Sequence, residues 1–424
     1  HSVGQTLDDA RFARMCVSAR LLHKQLAADL RAGGDADADA DPATAATPLI
    51  AVDADETQVY WDVSQEAMPS ATAMPDGSPV AARPDTAALA AVREALTDAV
   101  RVRTMCERDV GDGTSGEIAC LLSGGLDSSL VASLLQRAVP YRLHTYSIGM
   151  SPDAPDLVAA REVAAFLGTE HHEVIRDEKA MLAAVPAVVK ALGTWDTTTI
   201  RASTPMYLLA QAVRAMGRHV VLFSGEGADE LLQGYVYWKA APSVDAGDAE
   251  SRRVLRDLHY FDVLRADRAT AAHGLELRVP FLDRSFVRTC LSLPAAWRAP
   301  TAYGGVEKGL LRAAFDPAHA GAAVAAPYLP PHLLWRHKEA FSDGVSTHAR
   351  PWYAVLQAQA RAALGAAADG RTDAKVEAQY LRDLFASQCP GLPESLVPYQ
   401  WLGGGGGGAR GGGGRAPPDA GPPP

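Results

Sequence analysis

EIACLLSGGLDSSL, residues 117–130, decides the fold. Residues 117–122 are a short apolar run that ends in Ser-Gly-Gly, and apolar side chains recur at helical spacing from Leu126 to Arg137. The stretch therefore predicts a buried strand, a glycine turn and a helix. Further along, YRLHTYSIG (141–149) predicts a second strand and 156–167 a second helix. HHEVI (171–175) follows as a strand, 179–192 and 203–216 as helices, and HVVLF (219–223) as a buried strand running into SGEGADE. This alternation predicts an α/β fold with a doubly wound, mostly parallel sheet, whose ligands gather at the carboxyl ends of the strands. Residues 250–400 predict a largely helical C-terminal part.

In the turn Ser123-Gly124-Gly125-Leu126-Asp127-Ser128, backbone NH groups and the positive end of the helix dipole point at one spot. The glycines let main chain approach a phosphate closely, and Ser123 and Ser128 add hydroxyl donors. No GK[ST] follows, so this is not a Walker A loop. The plainer alternative is a capped strand-to-helix turn without a ligand. Asp127 and Asp229 both follow strand ends, so the sheet can bring them to one edge, where paired carboxylates suit Mg²⁺. Alternatively each caps its own helix. Thr198, Thr199 and Arg201 lie in a polar loop expected before the helix at Ser203, and an arginine fork pairs bidentately with a carboxylate. Arg278 and Asp283 stay unassigned; a structural ion pair between them is one reading.

Composition narrows the classes. Of 424 residues, 48% are hydrophobic and 21% charged, ordinary for a soluble globular protein. A net charge of -10 opposes nucleic acid as a partner, because a basic footprint supplies most of that affinity. No stretch reaches the apolar length of a membrane span, so no membrane partner is expected. Cys16, Cys106, Cys120, Cys290 and Cys389 are scattered and form no CxxC pair, which favours a reducing, cytosolic compartment, with an organelle left open. Three stretches are too polar or too rich in Gly and Pro to fold: 33–48, 64–88 and 403–424. The glycine run 403–408 and the Asp35, Asp37, Asp39 series imitate nucleotide and calcium motifs but lack the flanking strand and the turn glycine these require.

SGGLDSS resembles the pyrophosphate loop of the ATP pyrophosphatase superfamily, which breaks ATP between its first and second phosphates. Within it, the chain is similar to the asparagine synthetase family, in its eukaryotic wording, over about 300 residues. The motifs are TTTIRASTPMYL (197–208), LFSGEGADELLQGY (222–235), LRADRATAAHGLELRVPFLD (264–283) and LLWRHKEAFSDG (333–344). The resemblance implies an adenine nucleotide α-hydrolase-like fold and an AMP-forming carbon–nitrogen ligase. Such an enzyme activates aspartate with ATP and Mg²⁺ through β-aspartyl-AMP and releases pyrophosphate. It further implies that Leu122, Ser123, Gly124, Gly125, Asp127, Ser128, Ile148, Ser224 and Gly225 hold ATP. Glu226 would serve formation of the intermediate and Lys338 the charge on the α-phosphate, with Lys308 a weaker candidate for the same task. Thr198, Thr199 and Arg201 become the aspartate-binding loop. A solvated loop acid is the bland alternative for Glu226, and a surface lysine for Lys338.

The similarity covers a synthetase domain at 86–402, leaving 1–85 as a divergent or remnant region with disordered linkers and 403–424 as a disordered tail. Met15-Cys16 is not followed by the family's glutaminase segments, and an internal cysteine lacks the free amine that an N-terminal nucleophile uses. The expected nitrogen source is therefore ammonia, or glutamine through a separate or lost glutaminase domain. Expected partners are small molecules, with a homodimer or pairing with a glutaminase-bearing chain left open. Two other functions remain at this stage: an adenylating amidotransferase with another carboxylate substrate, and a non-catalytic nucleotide-binding homologue.

Overall fold

The computed structural model describes residues 83–105, 117–321, 324, 326–336, 344–346, 350–392, 394 and 397. The expectations for 1–82 and for the 403–424 tail, and the site residue Lys338, lie outside them. Helix α1 (Thr86–Arg101) starts where the Asp85 side chain accepts from the Ala88 NH at 2.8 Å. There follow β1 (Ala119–Leu121), α2 (Leu126–Ala138), β2 (His144–Gly149), α3 (Pro155–Leu167), β3 (Glu170–Ile175), α4 (Glu178–Leu192), α5 (Thr197–Met216) and β4 (Val221–Phe223). A one-turn helix, Ala228–Leu231, leads to α6 (Val244–Asp257), α7 (Asp262–Ala271), β5 (Glu276–Arg278), α8 (Arg284–Ser292), α9 (Gly309–Phe315), α10 (Trp352–Leu364) and α11 (Asp373–Gln388).

The five strands order as β3-β2-β1-β4-β5 and every neighbouring pair is parallel. Side chains alternate between the two faces of a strand, and the alternation sorts residues into two cores. Ile118, Cys120, Leu122, Val221 and Phe223 join α1, α2, α8 and α9 on one face. Ala119, Leu121, Tyr146, Ile148, Val174 and Leu222 join α4, α5, α7, α10 and α11 on the other. Both faces are covered, which is the doubly wound arrangement the strand–helix alternation predicts.

Three boundaries differ from the sequence reading. Residues 86–88, the end of a stretch read as unfolded, form the first turn of α1, which the Asp85 cap starts. Helix α5 begins at Thr197, so Thr198, Thr199 and Arg201 occupy its first turns and not a preceding loop. Asp196 is the reason: wholly buried, it accepts from the Thr199 NH at 2.8 Å and so starts the helix before the β-branched run Thr-Thr-Thr-Ile. β5 is a strand inside a region read as helical. It pairs at the sheet edge with β4, Leu277 beside Leu222.

Candidate active site

Chain order runs outward from β1 to β3 on one side and from β4 to β5 on the other, so the order reverses between β1 and β4. A crevice opens at the carboxyl ends of two strands whose following loops diverge in this way. The turn after β1 is Ser123–Ser128 and the turn after β4 is Ser224–Asp229, and the two touch. A Cβ on Gly225 would lie 2.8 Å from both the Asp127 Cβ and the Ser128 nitrogen. Gly124 has φ of 71°, and a Cβ there would fall 2.4 Å from that of Ala159 on α3. Glycine is thus required on both loops by space, and at Gly124 also by backbone conformation.

Within the first turn, Ser123 and Ser128 hydroxyls lie 3.1 Å apart, and the Gly125 NH donates to Ser123 Oγ at 3.3 Å. Leu122 and Ile148, both buried, send their side chains into opposite cores, which leaves only their main chain at the strand ends. The Ser224 NH donates to the Arg278 carbonyl on β5 at 3.0 Å, which fixes the second turn to the sheet.

The feature the sequence left faint is Lys308. Its ammonium donates to Asp127 Oδ2 at 2.6 Å and Asp229 Oδ1 at 2.7 Å, although the three residues are far apart in the chain. The side chain is 2% exposed. Burial pulls its pKa down, yet the two carboxylates outweigh this and hold it above the ordinary lysine value. The expected meeting of Asp127 and Asp229 is present, with an ammonium between them. One positive charge against two carboxylates leaves a net negative point lined by hard oxygens, a donor set that suits Mg²⁺ as a second cation.

Glu226, just beyond, receives a hydrogen bond from Arg265 Nη2 at 2.7 Å. Burial raises its pKa, Arg265 opposes that, and Asp262 and Asp229 add to the rise. Arg265 also donates to Asp262 Oδ1 at 2.7 Å. Neither Arg265 nor Asp262 was singled out in the sequence. The signal lay in the charged run DVLRADR (262–268), whose position opposite Glu226 only the fold reveals.

The remaining candidates are more dispersed. The Arg201 fork is engaged by Glu377 of α11, with Nε to Oε1 at 2.7 Å and Nη2 to Oε2 closer still. Arg278 and Asp283 do not pair with each other. Arg278 donates to the carbonyls of Arg103 and Met105, each at 2.5 Å, while Asp283 accepts from Arg103 Nη1 at 2.6 Å and caps α8. Both are therefore struts that tie the chain after α1 to the sheet edge.

The asparagine synthase family model matches residues 91–253 and 239–395, which together cover the sheet and both helical layers. The chain belongs to the asparagine synthase family. Curated relatives from Gallus gallus and Homo sapiens, each described as asparagine synthetase [glutamine-hydrolyzing], are 44% identical over 324 residues. The Mesocricetus auratus relative of the same description is 45% identical over the same length. Each alignment takes in 73% of this chain and 54% of the relative, so the chain spans about half the length of the curated relatives it matches. In this family member, no helix among the described residues is long and apolar enough to cross a membrane.

Proposed function

We propose that this chain makes asparagine from aspartate and ATP in two steps at the crevice between β1 and β4. In the first, a side-chain carboxylate oxygen of aspartate attacks the α-phosphorus; the bond to the β-phosphate breaks, giving β-aspartyl-AMP and pyrophosphate. In the second, ammonia attacks the acyl carbon, AMP leaves, and a proton passes from the nitrogen to a base. The observation that carries this reading is the contact of the two glycine turns around the Lys308 ammonium, which is bonded to Asp127 and Asp229.

Ser123, Gly124, Gly125 and Ser128, at the start of α2, offer NH and hydroxyl donors to the phosphates, and Leu122, Ile148, Ser224 and Gly225 border the same crevice. Asp127 and Asp229 would hold Mg²⁺, which when bound neutralises charge on the departing pyrophosphate. Lys308, already buried beside them, is placed to meet the same charge. Glu226 is supported as the carboxylate serving formation of the acyl intermediate by its raised pKa and its fixed bond to Arg265. Thr198, Thr199 and Arg201, in the first turns of α5, are assigned to aspartate, the Arg201 fork being shared with Glu377. Lys338 is assigned to the α-phosphate. The described residues flanking it support this, since Arg336 donates to the Gly124 carbonyl at 3.3 Å and the Val345 carbonyl accepts from Met150 at 2.7 Å.

The synthetase domain is assigned to 86–402. Ammonia is the nitrogen donor proposed for this chain. Cys120, Cys290 and Cys389 are all buried, and burial raises each thiol pKa, that of Cys290 to about 12, so none of the three suits glutamine hydrolysis. Exchange of labelled pyrophosphate into ATP by the purified chain is the direct test. Exchange that requires aspartate, followed by asparagine formation on adding ammonium, is expected. Exchange driven by another carboxylate instead, or none at all, would sink the proposal.

A further inference from the structure

At the amino ends of the strands, the edge away from the nucleotide turns, three side chains converge that the proposed reaction leaves unused. The parallel register puts His144 beside Glu170 and Tyr146 beside His172. Alternation along the strands then sends His144, Glu170 and His172 to one face. His144 Nδ1 lies 3.0 Å from His172 Nε2 and 3.7 Å from Glu170 Oε1, and His172 Nε2 lies 3.5 Å from that same oxygen. A tetrahedral metal with bonds of about 2.0–2.1 Å keeps its ligand atoms about 3.3–3.4 Å apart. The three separations of 3.0, 3.5 and 3.7 Å straddle that edge length.

The surroundings support a metal over a chance contact. Two imidazole nitrogens and one carboxylate oxygen form a donor set suited to zinc, whereas magnesium and calcium take oxygen alone. His144 presents its other nitrogen, Nε2, toward Glu117 Oε2 at 3.9 Å, the place where metal-bound imidazoles keep an outer carboxylate. His219 adds a further imidazole, its ring 4.7 Å from that of His144. Its Nδ1 lies 2.9 Å from the Glu117 carbonyl and so carries the proton, while its Nε2 is buried without a hydrogen-bond partner among the described residues. Arg218 reaches Glu170 Oε1 at 3.5 Å, but its side chain is 57% exposed and can turn to solvent when a metal takes that oxygen.

We propose that His144, Glu170 and His172 bind a divalent transition metal of the zinc class, with the fourth corner left to solvent. The ion clasps β2 to β3 at their amino ends. Ile148 is four positions beyond His144, which at a rise of roughly 3.3 Å per position puts the clasp about 13 Å from the nucleotide end of β2.

The test is calorimetric titration of the chelator-stripped full chain with Zn²⁺, repeated with His172→Ala, His172→Gln and Glu117→Gln. One zinc equivalent should bind the native chain. Either His172 variant should weaken it by at least ~100-fold, and Glu117→Gln by about 10-fold, in line with loss of an outer partner. Excess Mg²⁺ should not displace it. Co²⁺ added to the native chain should give the intense visible absorption of a four-coordinate site, a readout that does not depend on any variant folding. No zinc uptake by the native chain, equal zinc affinity in folded His172 variants, or only weak octahedral cobalt bands would each overturn the proposal.

Discussion

Lys308 has φ of 53°, a left-handed conformation uncommon for a residue with a side chain. Such a backbone costs on the order of 1 kcal/mol or more and persists where surrounding contacts fix it; here two carboxylates do so. The raised pKa means that the folded chain holds this proton more tightly than the unfolded one. The bond of Lys308 to its two carboxylates therefore stabilises fully below the ordinary lysine range and is lost only as pH rises through the elevated value. Lys308→Met keeps the length but leaves Asp127 facing Asp229 without their shared cation. We expect aspartate-dependent pyrophosphate exchange to fall by about 10²–10³-fold, as when one donor to developing charge is removed. Activity within a few-fold of the native chain would show the lysine to be a structural strut. Glu226→Gln separates a different role. Arg265 keeps its bond to Asp262 Oδ1, and the amide oxygen can still accept from it, so the fold should stand while turnover falls by roughly 10²–10⁴-fold. Turnover is measured with ammonium, and ATP binding should be unchanged.

At the scale of elements, the turn between β1 and α2 was fully legible because strand, glycines and helix follow one another within fourteen residues, 117–130. The start of α5 was not. A run of three threonines and an isoleucine is poor helix-forming sequence, and only a buried Asp196 bonded to the Thr199 NH explains why the helix begins there. β5 escaped for another reason: Glu276–Arg278 is three residues long, and its pairing with β4 is a tertiary fact. Asp196→Ala should destabilise the chain by about 2 kcal/mol, the upper end for a lost cap, since the site is buried. The urea midpoint checks this, and Asp196→Asn, an equally good cap, should recover most of the loss. Because α5 carries Thr198, Thr199 and Arg201, the alanine variant should also raise KM for aspartate more than it lowers kcat. An unchanged KM would detach the cap from the substrate site.

Across the whole molecule, what the sequence could not show is which distant groups meet. Asp127 and Lys308 are 181 positions apart, Glu226 and Arg265 are 39, and Arg201 and Glu377 are 176. Each pairing exists because both faces of the sheet are covered by helices returning from far along the chain. Local pattern could place Asp127 and Glu226 at strand ends but could not supply the cations facing them. The Arg201–Glu377 pair has the widest structural reach of the last two, since it joins the proposed aspartate helix α5 to the C-terminal helix α11. Trp352 Nε1 adds a second tie from α10, donating to the Arg201 carbonyl at 3.0 Å. Glu377 is wholly buried and Arg201 is 18% exposed, so removing one partner strands a charge that water reaches poorly. Loss of one member of a buried pair costs about 3 kcal/mol, which at roughly 2 °C per kcal/mol lowers Tm by about 6 °C. Glu377→Gln, measured by calorimetry, should show that drop. It should also change KM for aspartate, because the freed Arg201 fork then meets the substrate without its protein carboxylate. A variant with native Tm would mean that the pair contributes no more than a surface ion pair. A variant that loses stability but keeps KM would confine Arg201 to holding α5 against α11.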